Sequence, residues 1–185
     1  MGRRSVMSEW RWLIPSLALG GLSVGCVMPQ RSFQPSHDPD TLNDAVFIHY
    51  LATVPVVTVA EGARAVLLIV GSTEQWPTFD QQWDELSRRR AVVSTWRLRP
   101  GRILDKATLA YMLRTLCDLP RSLNETLASA TGLGDRRYAL RTCIDRGLLP
   151  YGRPHDPVTG GELLSALTRA QECGTGESNL APKTP

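Results

Sequence analysis

Aromatic residues are scarce, with three Phe, five Trp and four Tyr making up 6% of the chain. Charge of one sign is scarce too. Lys and Arg number 21 against 18 Asp and Glu, and three Arg and one Glu of these fall in the first 25 residues. The remainder is almost neutral, which excludes a surface that seeks polyanions everywhere. Any basic surface must be local, and nucleic acid is not an expected partner. No Gly-x-Ser-x-Gly, P-loop or Rossmann fingerprint occurs, so no catalytic residue is named and no cofactor is expected. His37, Asp38 and Asp40, and the pair His155-Asp156, lack metal-ligand spacing, and no cysteine pair is close in sequence, so no metal site is expected. Yet 42% of the residues are apolar, too many for a wholly disordered chain, and 185 residues suit one domain with tails.

The start of the chain carries an address. Met1 to Arg11 is basic and polar, and Trp12 to Gly25 is an apolar run broken by Pro15, Gly20 and Gly21. That run is shorter than the ~20 residues a membrane-spanning helix needs and reads as the core of a secretory signal. Its ending, Leu22-Ser23-Val24-Gly25-Cys26, resembles a bacterial lipobox, in which the cysteine is acylated after cleavage. We therefore expect a signal peptide over 1–25, lipidation at Cys26, and several acyl chains holding the protein to a bilayer. Residues 26–40, rich in Pro, Ser and Gln, read as a flexible tether, and 173–185 as a disordered tail. The folded part is expected over 41–172.

Within it a pattern recurs three times, over about 41–71, 78–119 and 135–172. An apolar helical stretch leads through a turn to a second helix with a recognisable start. Those starts are Thr58-Val59-Ala60-Glu61, Asp105-Lys106-Ala107-Thr108 and Thr159-Gly160-Gly161-Glu162, spaced by 47 and 54 residues. Thr58 with Glu61, and Thr159 with Glu162, have the spacing of capping boxes, and Asp105 suits a helix start alone. Ser122 with Glu125 reads as another box. Phe47, Tyr50 and Leu51, then Trp83 and Leu86, then Leu140, Cys143 and Ile144 form core-facing stripes. No alternating run demands a sheet. The expected class is all-α.

This arrangement resembles the S-layer homology module, three helix–loop–helix repeats in a pseudo-threefold bundle that hold bacterial envelope proteins to cell-wall polymer. Tyr138-Ala139-Leu140-Arg141 with Asp145-Arg146-Gly147-Leu148-Leu149-Pro150, and Asp156-Pro157-Val158-Thr159-Gly160-Gly161-Glu162-Leu163-Leu164, carry the resemblance best. The chain also resembles planctomycete-type lipoproteins of unknown function. In the module the second helix begins Thr-Arg-Ala-Glu, whose Arg helps hold an anionic sugar. Here that position holds Val59, Lys106 and Gly160, so Lys106 is the one cation kept.

Two stretches are candidate ligand surfaces. Arg97, Arg99, Arg102 and Lys106, with Trp96 among them and Arg88-Arg89-Arg90 upstream, pair cations with an indole that can stack on a sugar. The bland alternative is a solvated helix end. Gly160 and Gly161, with Arg153 and His155 upstream, either expose amides to an anion or let a neighbouring element pack closely. Asp84 and Glu85 fall on different helix faces and are expected to be solvated. With Cys26 acylated, Cys117, Cys143 and Cys173 remain; a Cys117–Cys143 bond is open, and so is a buried Cys143 thiol.

The expectation is a non-enzymatic, lipid-anchored envelope protein, at the outer membrane or the periplasmic face of a membrane. It would attach to cell-wall glycan or dock another envelope protein. The alternative is a periplasmic enzyme or accessory subunit acting on that glycan.

Overall fold

The helices begin where a side chain can take an orphan amide. In this computed structural model, which describes residues 41–69, 71, 73, 76–93, 95–96, 98–121, 126 and 135–176, there are six of them. They are α1 (Asp44–Thr53), α2 (Val59–Leu67), α3 (Phe79–Arg88), α4 (Lys106–Leu116), α5 (Asp135–Asp145) and α6 (Gly160–Gly176). No strand occurs among the described residues, which are mostly helical, consistent with the all-α class. The signal segment, Cys26, the tether, Arg97, the box at Ser122 and the chain past 176 lie outside the described residues. The boundary expected at Glu172 falls inside α6.

Of the three anticipated capping boxes, the two among the described residues form. Glu61 N donates to Thr58 Oγ1 at 3.3 Å while Thr58 N donates to Glu61 Oε2 at 2.8 Å. Thr159 and Glu162 repeat the exchange at 3.2 and 3.1 Å. Asp105 Oδ1 takes Thr108 N at 2.7 Å. A further box, Thr78 with Gln81, starts α3, and Asn43 caps α1.

The ends of α3, α4 and α5 share a different device. At each, the amide three past the helix reaches back to a carbonyl five residues earlier: Ala91 to Leu86, Leu119 to Arg114, Leu148 to Cys143, at 2.8, 3.0 and 2.8 Å. This closure requires a left-handed residue just before that amide. Gly147 supplies it at φ 72°, whereas Arg90 and Asp118 are held at 60° and 47°.

Packing pairs the helices in a cycle, α2 on α3, α4 on α5 and α6 on α1, with α2 also touching α4 and α6. The expected stripes face inward. Phe47, Leu51, Leu86 and Cys143 are fully buried, and Tyr50, Trp83 and Ile144 pack half-buried at their edges. Glu85 departs from expectation. Asp84 is exposed, but Glu85 is 3% exposed and is held by Arg88 and Arg89 at 2.6 Å each. Arg89 Nε donates a hydrogen bond to Oε1, while the Arg88 guanidinium offsets the charge at Oε2 as an ion pair without hydrogen-bond geometry.

At the centre lies a closed ring of backbone hydrogen bonds. Val57 N donates to Val158 O at 2.9 Å, Val158 N to Leu104 O at 3.0 Å, and Leu104 N to Val57 O at 2.9 Å. Each of these buried residues stands one place before a cap, Thr58, Asp105 or Thr159. The helix starts are therefore tied to one another through main chain rather than through side chains alone.

Candidate functional site

The first-turn amides of the three central helices are already spoken for. Val59 N donates to Arg102 O, Lys106 N to Asp156 O and Gly160 N to Val54 O, at 2.7, 3.0 and 3.0 Å. These donors, orphans in an isolated helix, are satisfied by the loops of neighbouring elements. Gly160 sits so close to α1 that a Cβ there would lie 1.8 Å from Leu51 O. Gly161, by contrast, has nothing within 4 Å of an added Cβ. The two adjacent glycines thus do different things: one admits α1, and the other faces open space.

Lys106 is 7% exposed, and its Nζ donates to Glu162 Oε1 at 2.9 Å. Gly152 crowds the same ammonium, since a Cβ there would lie 2.8 Å from both Cδ and Nζ. Burial raises the Glu162 pKa, but hydrogen bonds from Lys106 and Thr159 outweigh it and hold the carboxyl below its ordinary value. Arg102 lies 3.7 Å from Asp105, and Arg99 is exposed. The basic stretch seen in sequence is therefore divided between an internal ion pair and the surface.

Trp96 marks a different grouping. Its ring meets Tyr111 edge-on at 4.9 Å, and the Arg136 guanidinium lies 4.8 Å from its centroid. Arg136 also donates to Thr108 Oγ1 at 3.3 Å. Around this stack opens a cleft of about 330 Å³, lined by Trp96, Asp105, Ala107, Asp135, Arg136, Arg137, Pro154 and His155, with Val93 and Thr95. Arg137 and His155 are exposed, whereas Asp105 is buried. Chemically, the cleft offers a cation–π surface against which a ring can lie, and exposed cations for an acidic group. Of the basic and aromatic stretch from Trp96 to Lys106 named as a ligand surface from sequence, Trp96 is the one candidate among the described residues that lines it. Arg136 and Arg137 went unrecognised; their only signal was the charged run Asp135-Arg136-Arg137 at a helix start. His155 was noted for its nearness to Thr159 in sequence and lies in this cleft instead.

A smaller cavity, about 240 Å³, lies between α1, α2 and α3. There the buried Arg64 sits 4.3 Å over the Phe47 ring, 3.0 Å from Asp44, and bonded to Leu42 O and Thr73. Asp44 in turn accepts from Thr73 N at 3.0 Å. This network holds the start of α1 to α2. It had no sequence signal, because Arg64 interrupts an otherwise apolar run.

Cys143 is buried with its Sγ 3.3 Å from Ala110 O, and Cys117 Sγ lies 3.9 Å from Ala170 O. They face different carbonyls, are both thiols, and are not joined to each other. Among the described residues no group of three or more His, Cys, Asp or Glu side chains gathers as a metal site would need, and no helix is long and apolar enough to cross a membrane.

No family model, curated protein or solved structure matches this chain.

Proposed function

We propose that this chain is a lipid-anchored envelope protein that attaches to cell-wall polymer through the cleft beside Trp96. In this reading Cys26 carries the lipid, and three helix–loop–helix units related by a pseudo-threefold axis form the binding domain. The ring of Val57, Leu104 and Val158, with the cyclic pairing of helices, supports the threefold relation. The Trp96–Arg136 stack is the observation that carries the function. An indole and guanidinium in a cleft rimmed by Arg137 and His155 suit a polymer of sugar rings bearing acidic groups. Lys106 does not serve as the ligand cation here, because its charge is used on Glu162. Arg99 and Arg102 extend the positive field from outside the cleft.

Sedimentation of the purified chain with isolated wall material tests this. The wild type should pellet with the wall, and Trp96→Ala combined with Arg137→Ala should remain in solution. Exposed charge contacts contribute only about 0.2–1 kcal/mol each, so Arg99→Ala alone should weaken binding modestly. A double variant that pellets like the wild type would overturn the cleft assignment. For the anchor, a fatty-acid analogue should label the wild type and not Cys26→Ser.

A further inference from the structure

We infer that Tyr151 and Arg153 form a second subsite for the same ligand, where an acidic sugar polymer leaving the Trp96 cleft stacks a further ring on the Tyr151 phenol. The inference rests on the cleft reading above. Tyr151 is 90% exposed, the most open of the large apolar side chains among the described residues. Its backbone, by contrast, is held. Gly152 packs on Lys106, where an added Cβ would lie 2.8 Å from Nζ. Arg153 N donates to Asp156 Oδ2 at 2.7 Å, and Asp156 N to Arg153 O at 3.1 Å, closing a turn. Pro154 O and Asp156 O accept from Ala107 N and Lys106 N at 3.0 Å each, which fastens that turn to the start of α4. Pro150 and Pro154 fix further dihedrals. An aromatic ring is thus kept in water on a backbone with little freedom left to lose. Such a ring is a contact surface of low entropic cost, because only two χ angles remain for binding to fix.

Position ties this ring to the cleft. Pro154 and His155 of the same loop line it. Four peptide units separate Tyr151 from His155, a span of at most ~14 Å between α-carbons. Arg153 lies between them in sequence and is exposed, as are His155 and Arg137. A polymer seated against Trp96 and Arg136 therefore meets further cations along the loop and an aromatic at its end. Tyr151 offers a face for a sugar ring, and Arg153 a planar guanidinium for the carboxylate or phosphate beside it. A single sugar fills the cleft alone. The ligand class this favours is an acidic oligosaccharide long enough to continue past His155.

The test uses the purified full chain in detergent and anionic wall polysaccharide, partly hydrolysed and sized into short and long fragments. Calorimetric titration should show the wild type binding long fragments about tenfold more tightly than short ones. Tyr151→Ala combined with Arg153→Ala should lose that gain, keep the short-fragment affinity and melt at the wild-type temperature. Tyr151→Phe should keep the gain, because stacking needs the ring and not the hydroxyl. Trp96→Ala combined with Arg137→Ala should lose both affinities. If the Tyr151 and Arg153 variant keeps the gain while the Trp96 and Arg137 variant loses binding, the subsite falls and the cleft stands. If the Trp96 and Arg137 variant binds like the wild type and the other variant does not, the loop is the site and the cleft reading falls. A wild type that binds neither fragment overturns both.

Discussion

Lys106 Nζ and Glu162 Oε1 stand 2.9 Å apart and join the first residue of α4 to the third of α6. A cation at a helix start opposes the macrodipole, and a buried ammonium without a partner is costlier still. Glu162 answers both, while its other oxygen takes Thr159 N. One carboxylate therefore caps its own helix and cross-links a second.

Gly152 follows from that pair. The Cβ of Gly152→Ala would press on a Lys106 side chain that Glu162 holds in place. We expect a loss of about 1–2 kcal/mol in urea unfolding. In a Lys106→Ala background the same change should cost nearly nothing. Equal costs in both backgrounds would show that Lys106 does not fill the space.

Acid should attack the same contact. Glu162 titrates below its ordinary value in the folded state, so its contribution is present above the unfolded pKa, ~4.3, and is lost as pH falls through the folded value. Urea midpoints of the wild type should therefore fall more steeply below pH ~4.3 than those of Glu162→Gln. Parallel curves would mean that Glu162 keeps an ordinary pKa.

The adjacent glycines of α6 should respond oppositely to one methyl group. Gly160→Ala would drive a Cβ into the Leu51 carbonyl and should cost about 3 kcal/mol or more. Gly161→Ala meets nothing and should gain up to ~1 kcal/mol from helix propensity. Thermal midpoints that shift the same way would count against the packing of α1 on α6.

Arg90 carries a backbone better suited to glycine. Its φ of 60° closes the end of α3. Arg90→Gly should raise stability by about 0.5–1 kcal/mol, and Gly147→Ala should lower it by a similar amount. Circular dichroism melts of the two variants measure this, and a destabilised Arg90→Gly would show that its side chain matters more than its backbone.

What was legible in sequence was local. Thr58 with Glu61, Asp105, and Thr159 with Glu162 mark helix starts because capping chemistry acts within three residues, and the Phe47, Leu86 and Cys143 stripes betray the buried faces by spacing. What escaped depends on contacts between distant residues. Nothing near Lys106 in sequence announces Glu162, 56 positions away. Arg136 reaches Trp96 only after α5 has packed on α4. Glu85 looked solvated because the two arginines that enclose it bend back from a helix end whose closure is invisible in composition.

The pairing of α1 with α6 has a consequence for biogenesis. Apart from the Arg64 network that ties it to α2, the first of the described helices finds its main packing partner in the last of them. Until then the core-facing side of α1 is only partly covered, by Arg64 over Phe47, and the ring through Val57 lacks Val158. A nascent chain truncated before α6 cannot complete its core, so the domain should acquire protease resistance late and in a single step. Such a delay keeps the described helices open to proteolysis and to unfolding until the end of α6 has been made.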